Sequence, residues 1–395
     1  MGRRIALLVT GGIAAMLAPQ VARALRRRGA TVVPFISQEA ARYVARDALA
    51  WSADHPVIDS LGPRAEHLSD SAPFDAWLIA PATYNTINKA AAGVADGLIG
   101  AVLASAIGRV ERGDGVLLIA PTMHGSMHNS ILERSLHQLR ALGAQLITPR
   151  PGYGKHNLPR PEVLAAVVCR ALSCSPLRGH RLLITGGPTP VALDNVRRLG
   201  NRFTGRLATE IAEALLYAGA EVELLLGRGA ITPPAHIPFS WVDDYESYRA
   251  RILERVIGES PPTMGIFSAA VADYQPSAVE EGKIPSGRAR WQLELAPTEK
   301  VIDLARAAAP GLFMVTFKYQ EGMSHEALLA LGEERLKRYE MVIVNRGEEK
   351  GPAGEQIAWL LRRGHPPLRG EGKKQIAKQL RAALEAALME QTRAD

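Results

Sequence analysis

The chain has 395 residues, of which 47% are hydrophobic and 22% are charged, and its formal net charge is +7 at pH 7. A chain of this length buries large apolar cores, and about 100–200 residues per domain predicts two domains or three. The sequence contains no run of about 20 apolar residues and enters a strand pattern almost at once, so we expect neither a membrane span nor a secretory signal. These features predict a cytoplasmic globular protein without membrane partners.

The positive charge raises the question of nucleic acid, but its distribution argues against such a partner. The arginines are scattered, and Arg26, Arg27 and Arg28 end an amphipathic helix pattern, where the helix dipole favours cations. Aromatic residues make up only 5% of the chain, so bases would find few side chains to stack on. Cys169 and Cys174 match neither a disulfide framework nor a zinc pattern. We therefore expect small anionic ligands and no nucleic acid.

Short apolar runs alternate with helical patterns in the first half of the chain, at 5–9, 31–37, 75–81 and 116–121. Each run ends in a turn residue, and the alternation predicts an open, doubly wound parallel sheet of the α/β class. A helix of small residues is predicted over 90–105. In such sheets ligands lie beyond the carboxyl ends of the strands. The residues there that we expect to cluster are Thr10, Gly11, Gly12, Ser37, Pro81, Ala82, Thr83, Asn85, Pro121, Met123 and His124.

The first of these turns, Thr-Gly-Gly-Ile-Ala-Ala at 10–15, indicates a phosphate site. Glycine allows a ligand to approach the backbone, and a following helix N-terminus offers free N–H groups to an anion. The turn lacks the third glycine of the dinucleotide fingerprint, and Ser37, not an acidic residue, follows the second strand. A mononucleotide or a flavin phosphate fits better than NAD. The alternative interpretations are a turn that serves packing and a serine that caps a helix.

The apolar pattern lapses over 171–180, which we interpret as a linker between a first domain at 1–170 and a second at 181–395. The second domain is predicted to be another open α/β sheet. Its predicted strands lie at 181–185, 221–226, 264–268, 312–317, 341–344 and 357–361, and its predicted helices at 205–218, 244–257, 301–308, 325–338 and 373–389.

Three stretches of the second domain carry glycine or charge in places that suit a phosphate. Gly-Gly-Pro-Thr at 186–189 follows an apolar strand, as the glycine turn of the first domain does. The arginine-rich loop 194–205 precedes a helix, where a phosphate or carboxylate binds favourably. Asp273 ends a buried strand and Lys283 follows ten residues later, offering one ligand for Mg²⁺ and one cation for a triphosphate. The alternative interpretations are a solvated loop, an N-cap aspartate and a surface lysine.

Together these motifs resemble a known family. Thr-Gly-Gly-Ile-Ala-Ala at 10–15, Pro-Ala-Thr-Tyr-Asn-Thr at 81–86 and Pro-Thr-Met-His-Gly-Ser-Met at 121–127 are similar to motifs of flavin-dependent cysteine decarboxylases. With Ala-Val-Ala-Asp-Tyr at 270–274 added, nearly the whole chain resembles one bifunctional family of coenzyme A biosynthesis. Its members are phosphopantothenoylcysteine decarboxylases fused to phosphopantothenate-cysteine ligases.

The resemblance implies a flavodoxin-like first domain that binds FMN and decarboxylates phosphopantothenoylcysteine. His67, on a short helix ahead of the third strand, then corresponds to the catalytic base. His124 stands where the family has an asparagine that holds the substrate carboxylate, and 151–158 lacks the cysteine that delivers a proton. The reaction then stops at an oxidised enethiol, uses His124 or His156 in a changed role, or is absent from a domain that serves assembly. The implied FMN contacts are Thr10, Gly11, Gly12, Ser37, Pro81, Thr83, Asn85 and Met123.

For the second domain the resemblance implies a Rossmann-like ligase. With Mg²⁺, it uses CTP to convert the carboxylate of 4'-phosphopantothenate into an acyl-cytidylate, which the amine of cysteine attacks. Arg197 and Asn201 correspond to residues that contact phosphopantothenate, Lys283 to a catalytic residue and Asp273 to a metal ligand. Lys337 matches one of two phosphate-binding lysines. The implied nucleotide contacts are Gly186, Gly187, Pro188, Thr189, Asp273, Lys283 and Lys337.

Two other functions stay open on this sequence. One is a paralogous decarboxylase-ligase that joins a different acid to an amine, which His124 and the altered segment 151–158 favour. The other is a non-catalytic flavin-binding regulatory subunit, which has no need for Asp273 and Lys283. The resemblance also implies a large homo-oligomer with trimeric flavin domains and dimeric ligase domains. The choice between CTP and ATP stays open.

Overall fold

A computed structural model describes residues 2–68, 72–152, 155–279, 281–287 and 290–394. The chain forms two compact units, 1–173 and 174–395. The segment predicted as a linker, 171–180, contributes Leu177 to the second unit, where this side chain is fully buried among core residues.

The first unit is built on a parallel sheet with helices on both faces. Its strands are β1 Arg4–Val9, β2 Thr31–Ile36, β3 Ala76–Ala82, β4 Val116–Pro121, β5 Met123–His124, β6 Gln145–Leu146, β7 Arg150–Gly152 and β8 Lys155–Asn157. Its helices are α1 Ala18–Arg26, α2 Arg46–Ala53, α3 Tyr84–Ala91, α4 Leu98–Glu111, α5 Ser130–Ala141 and α6 Pro161–Ala171, with 3₁₀ helices at Ile13–Leu17, Ala40–Arg42 and Gly125–Met127.

The main sheet of this unit has the order β2-β1-β3-β4-β6, and every neighbouring pair is parallel. Because β6 is the fifth strand along the chain to enter this sheet, the order is that of flavodoxin-like folds. The predicted doubly wound sheet is confirmed. A separate antiparallel ribbon, in the order β5-β8-β7, follows β4.

Strand β1 shows why its sequence is apolar throughout. Ile5, Leu7 and Val9 point into one core with α1 and α6, whereas Ala6 and Leu8 point into the opposite core with α3, α4 and α5. Successive strand residues face opposite sides, so a strand covered on both faces reads as an unbroken apolar run. Truncating one such leucine to alanine costs about 2–5 kcal/mol.

The helix predicted over 90–105 is wrong, because the structure has two helices there. α3 ends at Ala91 and α4 begins at Leu98. Gly93 has φ +71, a left-handed conformation that a continuing helix excludes, and Gly97 is the N-cap of α4. The break leaves a loop, 92–97, between the two helices.

The second unit is also an α/β sheet with both faces covered. Its strands are β9 Arg181–Gly186, β10 Pro188–Thr189, β11 Val191–Ala192, β12 Arg198–Leu199, β13 Glu221–Gly227, β14 Phe239–Val242, β15 Met264–Phe267, β16 Ala270–Val271, β17 Tyr274–Pro276, β18 Leu295–Pro297, β19 Phe313–Gln320, β20 Met341–Arg346, β21 Ile357–Arg362 and β22 Leu368–Glu371. Its helices are α7 Arg206–Tyr217, α8 Tyr245–Ile257, α9 Val301–Ala308, α10 His325–Arg335 and α11 Lys373–Ala394.

The main sheet has the order β14-β13-β9-β15-β19-β20-β21-β22. The first six strands are parallel and, numbered by their place in the chain, follow the order 3-2-1-4-5-6 of dinucleotide-binding folds. β21 and β22 are added antiparallel at one edge. Helices α7 and α11 cover one face, and α8, α9 and α10 cover the other. The predicted Rossmann-like architecture is confirmed, although β14 and β22 were not predicted.

Candidate functional sites

A cleft of about 1100 Å³ opens beyond the carboxyl ends of β1, β3 and β4 in the first unit. This is the edge at which ligands bind in open α/β sheets. Seven residues expected from the sequence line the cleft together, namely Gly11, Gly12, Ser37, Thr83, Asn85, Met123 and His124.

The glycine turn after β1 is open to this cleft. A Cβ on Gly11 would lie 2.4 Å from Cβ of Glu39, so this position accepts no side chain without a shift of its neighbour. Gly12 precedes the 3₁₀ helix that leads into α1. Ser37 caps the next 3₁₀ turn, because its Oγ accepts the N–H of Ala40 at 3.1 Å. The N–H of Gly12 donates to the carbonyl of Thr10 at 2.8 Å, so this bond holds the turn in shape beside the cleft. Ser37 serves as a cap and as part of the cleft wall.

Thr10 and Pro81 support the cleft from behind and do not line it. Thr10 is buried, its Oγ1 donates to the carbonyl of Pro81 at 2.7 Å, and the same oxygen accepts the N–H of Thr83 at 3.2 Å. Thr83 in turn caps α3 by accepting the N–H of Thr86. The threonine before the glycines thus joins the ends of β1 and β3 and places Thr83 in the cleft wall.

Two histidines lie in the cleft wall on the antiparallel ribbon. His124 ends β5, and β8 places His156 opposite Met123 in the register. The ring of His156 stacks on that of His128 with centroids 4.5 Å apart, and His128 contacts Glu133 through Nε2. The segment that lacks the family's cysteine therefore carries an imidazole into the cleft.

His67 is not placed as the sequence predicted. The residues around it form turns instead of a helix, with N–H groups of Ala65 and Leu68 donating to the carbonyls of Gly62 and Ala65. Pro63 follows Gly62, which favours a turn over a helix start. Within the described part of this unit, His67 is not among the residues that line the cleft.

Sequence reasoning missed the loop between α3 and α4, which forms one wall of the cleft. Val94, Asp96 and Gly97 line it, and Asp96 accepts a hydrogen bond from Lys89 at 2.6 Å. That hydrogen bond from the lysine holds the pKa of the Asp96 carboxyl below its usual value. The glycine at 93 was the available sequence signal for the break.

In the second unit the Gly-Gly-Pro-Thr turn is buried. A Cβ on Gly186 would lie 2.3 Å from Cβ of Ala208, and one on Gly187, at φ +74, would lie 2.7 Å from Cβ of Ala230. Beyond the glycines, β10 pairs with β16 and is buried as well. The glycines are therefore required by the packing of this turn, whatever ligand it also contacts.

A short network fixes the two residues expected to place the acid substrate. Arg197 donates through Nη1 to Asp194 Oδ2 at 2.7 Å and to the carbonyl of Ile284 at 3.1 Å. Asn201 donates through Nδ2 to the carbonyls of Ala270 at 3.1 Å and Val271 at 3.3 Å. Asp194, which the sequence analysis did not single out, is the buried member of this network.

The environment of Asp194 changes its acidity. Burial of the carboxyl raises its pKa, but main-chain N–H bonds from Arg197, Ile284 and Val196, together with the Arg197 charge, outweigh burial and lower the pKa to about 2. The group is therefore a carboxylate throughout the neutral range.

Asp273 and Lys283 are both exposed. Asp273 Oδ1 forms an ion pair with Lys300 Nζ, which ends a segment, 295–300, that is similar to a motif of the family. The main chain supports this pair, since Thr298 donates its N–H to the carbonyl of Asp273 at 3.0 Å. Lys283 lies one residue before Ile284 and so borders the Asp194 network.

The structure does not bring Lys337 to the other predicted nucleotide contacts. Lys337 lies between α10 and the start of β20, whereas Gly187 follows the carboxyl end of β9. β9 and β20 run in the same direction in one sheet, so these residues lie at opposite sheet edges. Lys337 pairs with Glu334 at 2.5 Å on the surface. Its assignment to the nucleotide site was wrong, because a helix ending before a strand leads to the amino edge.

The donor set for a metal is a single carboxylate. Within the described ranges no three His, Cys, Asp or Glu side chains lie close enough to share an ion. Mg²⁺ commonly binds through one or two carboxylates, several waters and the phosphates of a substrate. Asp273 therefore fits a magnesium ion that arrives with a nucleotide, and not a resident metal site.

The fold and the cleft define a two-unit α/β protein with a flavodoxin-like half and a Rossmann-like half. Residues 1–172 match the Flavoprotein family, and residues 177–388 match the DNA/pantothenate metabolism flavoprotein C-terminal domain. No helix in the described part of the chain has the length and apolar character needed to cross a membrane.

Curated relatives match both units. The coenzyme A biosynthesis bifunctional protein CoaBC of Thermococcus kodakarensis is 29% identical over 98% of this chain and 96% of its own length. The protein of the same name in Bacillus subtilis is 30% identical over 76% of this chain and 75% of its own. A cysteine/cysteine sulfinic acid decarboxylase of an unknown prokaryotic organism is 30% identical over 70% and 78%. The chain belongs to the family of coenzyme A biosynthesis bifunctional proteins.

Proposed function

We propose that this protein catalyses two consecutive steps of coenzyme A biosynthesis. The second unit ligates cysteine to 4'-phosphopantothenate, and the first unit decarboxylates the phosphopantothenoylcysteine so formed. The observation that carries the proposal is the match of a bifunctional relative across both units, over 98% of this chain. Two further observations support the proposal. The cleft of the first unit is suited to a decarboxylase site, and the charged groups near the carboxyl edge of the second unit are suited to a ligase site.

In the second unit, the carboxylate of phosphopantothenate attacks the α-phosphorus of CTP and pyrophosphate leaves. The amine of cysteine then attacks the acyl carbon and CMP leaves. Lys283 neutralises the charge that develops on the phosphates, and Asp273 takes up the Mg²⁺ that accompanies the nucleotide. Arg197 and Asn201 place the acid. The Lys300 ammonium has to leave Asp273 before a metal ion binds there, because both use the same carboxylate.

The N-terminus of α7 is the part of this unit that best suits a phosphate. α7 is twelve residues long, Gly205 is its N-cap, and a Cβ on Gly205 would lie 3.1 Å from the amide nitrogen of Gly187. The first N–H groups of the helix therefore lie beside the Gly-Gly-Pro-Thr turn, where the helix dipole favours an anion. We assign the phosphate contact to this helix start together with Gly186, Gly187, Pro188 and Thr189.

In the first unit, the residues of the cleft fit FMN. The turn at Gly11 and the hydroxyl of Ser37 suit its phosphate, and Thr83, Asn85 and Met123 also line the cleft. Bound FMN supplies the redox chemistry that lets a cysteinyl carboxylate leave as carbon dioxide. The chain's own residues orient that carboxylate. His124 stands in place of an amide, and because its Nδ1 accepts the N–H of Ser126, the other ring nitrogen is the one that offers an N–H to the carboxylate.

A proton must also be delivered to the product, and His156 lies in the cleft to deliver it. Its stack on His128 fixes the orientation of the ring, and Glu133 holds His128 in turn. The variant His156→Gln should form phosphopantetheine more slowly and still bind FMN.

The ligase is tested with the purified full-length chain, phosphopantothenate, cysteine, Mg²⁺ and either CTP or ATP. Pyrophosphate release reports activation of the acid, and mass spectrometry separates phosphopantothenoylcysteine from phosphopantetheine. We expect release with CTP and the appearance of both products in sequence. A lack of pyrophosphate with either nucleotide contradicts the ligase proposal, and accumulation of phosphopantothenoylcysteine alone contradicts the decarboxylase proposal.

A second candidate keeps the chemistry and changes the substrates. His124 alters the group that meets the substrate carboxylate, and a relative that matches 70% of the chain is named for cysteine and cysteine sulfinic acid. Screening acids and amines for nucleotide consumption distinguishes the two candidates. Faster turnover with another pair of substrates favours the second.

The assembly proposed for this function is a cytoplasmic homo-oligomer, trimeric through the flavin units and dimeric through the ligase units. Ile13 and Met16, on the 3₁₀ helix beside the cleft, are 69% and 57% exposed, which is unusual for large apolar side chains next to a binding site. Light scattering on the eluted protein measures the mass. A monomer at micromolar concentration contradicts this proposal.

A further inference from the structure

Asp194 is an unusual residue for a loop between two short strands. Its side chain is fully buried, and its carboxylate accepts N–H bonds from Val196 at 2.8 Å, Arg197 at 2.5 Å and Ile284 at 3.0 Å, as well as the Arg197 guanidinium. A buried carboxylate is tolerated only when it is paired and hydrogen-bonded. This one satisfies both of its oxygens with partners from two distant segments.

The hydrogen bonds of this carboxylate span ninety residues of sequence. Besides the bond from Ile284, the N–H of Asn195 donates to the carbonyl of Gly282 at 3.0 Å, and Arg197 Nη1 donates to the carbonyl of Ile284. Gly282 and Ile284 flank Lys283. The main chain on both sides of the lysine is therefore held by the loop, while the lysine side chain itself is exposed.

We propose that Asp194 is a positioning residue for the ligase reaction: its buried carboxylate clamps the 282–284 segment and the Arg197 guanidinium in one arrangement, so that Lys283 and Arg197 meet the nucleotide and the acid together. The inference rests on the proposed function. Asp194 touches neither substrate and acts through its two neighbours. A misplacement of about 1 Å in a reacting group costs up to roughly a hundredfold in rate, which is the size of effect such a clamp controls.

The charge of Asp194 also sets what Arg197 is able to bind. With the carboxylate present, Arg197 Nη1 donates to Asp194, and the carbon at the centre of the guanidinium lies 5.6 Å from the centroid of the Trp291 ring. Without it, the guanidinium keeps, among the described residues, the carbonyl of Ile284 as an acceptor and the ring of Trp291 as a neighbour, and it is less firmly oriented. Removal of the carboxylate therefore changes affinity for the acid, and not only the stability of the loop.

The test replaces Asp194→Asn in the full-length chain. The amide keeps the shape but turns one oxygen into an N–H₂ group that faces other donors. We expect the apparent KM for phosphopantothenate to rise about tenfold or more and kcat for pyrophosphate release to fall by a similar factor, with KM for cysteine unchanged. Without any substrate, limited trypsin treatment should cut after Lys283 roughly fivefold faster or more, the equivalent of one lost hydrogen bond.

Glu340→Gln is the matched control. Glu340 also accepts a main-chain N–H, from Met314 at 2.6 Å, and an arginine, Arg306 at 2.7 Å, but it precedes β20 at the opposite edge of the sheet. Its loss is expected to lower the melting temperature and leave the cut after Lys283 and the KM for the acid unchanged. If Asp194→Asn does not fold, Asp194→Glu retains the charge, and partial retention of the low KM supports the same conclusion.

An Asp194→Asn protein with unchanged cleavage at Lys283 and an unchanged KM for the acid overturns the inference. So does a variant that resembles Glu340→Gln, with a smaller active fraction and no shift in KM. A wild-type protein that does not ligate overturns the proposed function and the catalytic half of this inference, whereas the cleavage rates still decide whether Asp194 holds the lysine segment.

Discussion

The two units contain the same tripeptide at the end of their first strand, and they use it differently. In both, the threonine is buried and joins two strand ends: Thr10 Oγ1 bonds to Pro81 and Thr83, and Thr185 Oγ1 accepts the N–H of Ala269 at 3.2 Å. The glycines that follow diverge. Gly11 and Gly12 line an open cleft, whereas the pair after Thr185 is buried.

The cause of this difference is the sequence after the glycines. In the first unit Ile-Ala-Ala begins a helical segment within one residue, so the turn leads directly into a helix start beside the cleft. In the second unit Pro188 and Thr189 continue as strand β10, and the nearest helix start is that of α7 at Arg206. A strand followed by two glycines therefore forms an open turn when a helix follows and a buried turn when a strand follows. In the second unit the helix start beside the turn comes from α7, farther along the chain.

The largest expected effect is that of Lys283→Ala, because this substitution removes the cation proposed to neutralise the phosphates of the nucleotide. Lys283 lies outside the glycine turn of the second unit. Removing one preorganised charge from a phosphoryl transfer costs about 3 kcal/mol, roughly a hundredfold in rate. Pyrophosphate release with CTP measures it. Since Lys283 is exposed, the variant should melt at the wild-type temperature. Pyrophosphate release near the wild-type rate would show that the positive charge of Lys283 does not contribute to activation of the acid.

Gly186→Ala tests whether the second turn is held by packing. The new methyl would lie 2.3 Å from Cβ of Ala208 and 3.1 Å from Leu226 Cδ2, and such overpacking costs about 1–3 kcal/mol. We expect a lower melting temperature by calorimetry. Gly311→Ala is the control, because a methyl there meets nothing within 4 Å. Equal stability of the two variants would show that the turn has room for a ligand group.

Gly11→Ala is the counterpart in the first unit, where the glycine lines the cleft, so that an effect on binding is added to one on stability. The methyl would lie 2.4 Å from Cβ of Glu39, an atom whose position is set by the backbone, so the turn itself has to shift at an overpacking cost of about 1–3 kcal/mol. Because this shift moves the wall of the cleft, we expect FMN affinity, measured by quenching of flavin fluorescence, to fall about tenfold or more.

Gly108→Ala, within α4, serves as its control because alanine is favourable inside a helix. A Gly11→Ala protein that binds FMN normally and melts early would reverse the contrast between the two turns.

Local sequence was sufficient for the elements that are buried on both faces. The strands at 5–9 and 181–185 were predicted because a two-sided core demands a continuous apolar run, and their short length and the glycines that follow favour a strand over a buried helix. β14 and β22 were missed because each is only four residues long and lies at or near the edge of the sheet.

The site could be predicted only where its residues follow strand ends. Gly11, Thr83 and His124 were found in this way, since parallel strands bring their carboxyl ends to one edge. The Asp194 network joins segments ninety residues apart, and no periodic pattern marks such a pair. His67 was misplaced for a related reason, because a resemblance supplies the identity of a residue and not its local conformation.

The smallest expected effect concerns the ion pair between Asp273 and Lys300. Both side chains are more than half exposed, so the pair is worth about 0.2–1 kcal/mol, and its loss changes binding only about twofold to fivefold. Lys300→Ala should raise the affinity of the protein for the Mn²⁺ complex of CTP by that factor, because the metal no longer competes with the ammonium for the carboxylate. Electron paramagnetic resonance of the unbound Mn²⁺ complex measures it without activity.

Lys337→Ala is the control for this pair, since Lys337 forms an equally exposed ion pair with Glu334 at the opposite edge of the sheet. Its removal should leave Mn²⁺ binding unchanged, because Glu334 belongs to no cluster that suits a metal within the described residues. Equal affinities in wild type and Lys300→Ala would mean that Asp273 is not a metal ligand. The chemistry of the second unit would then depend on the α7 start and Lys283 alone, and its magnesium would be held by the nucleotide without the protein.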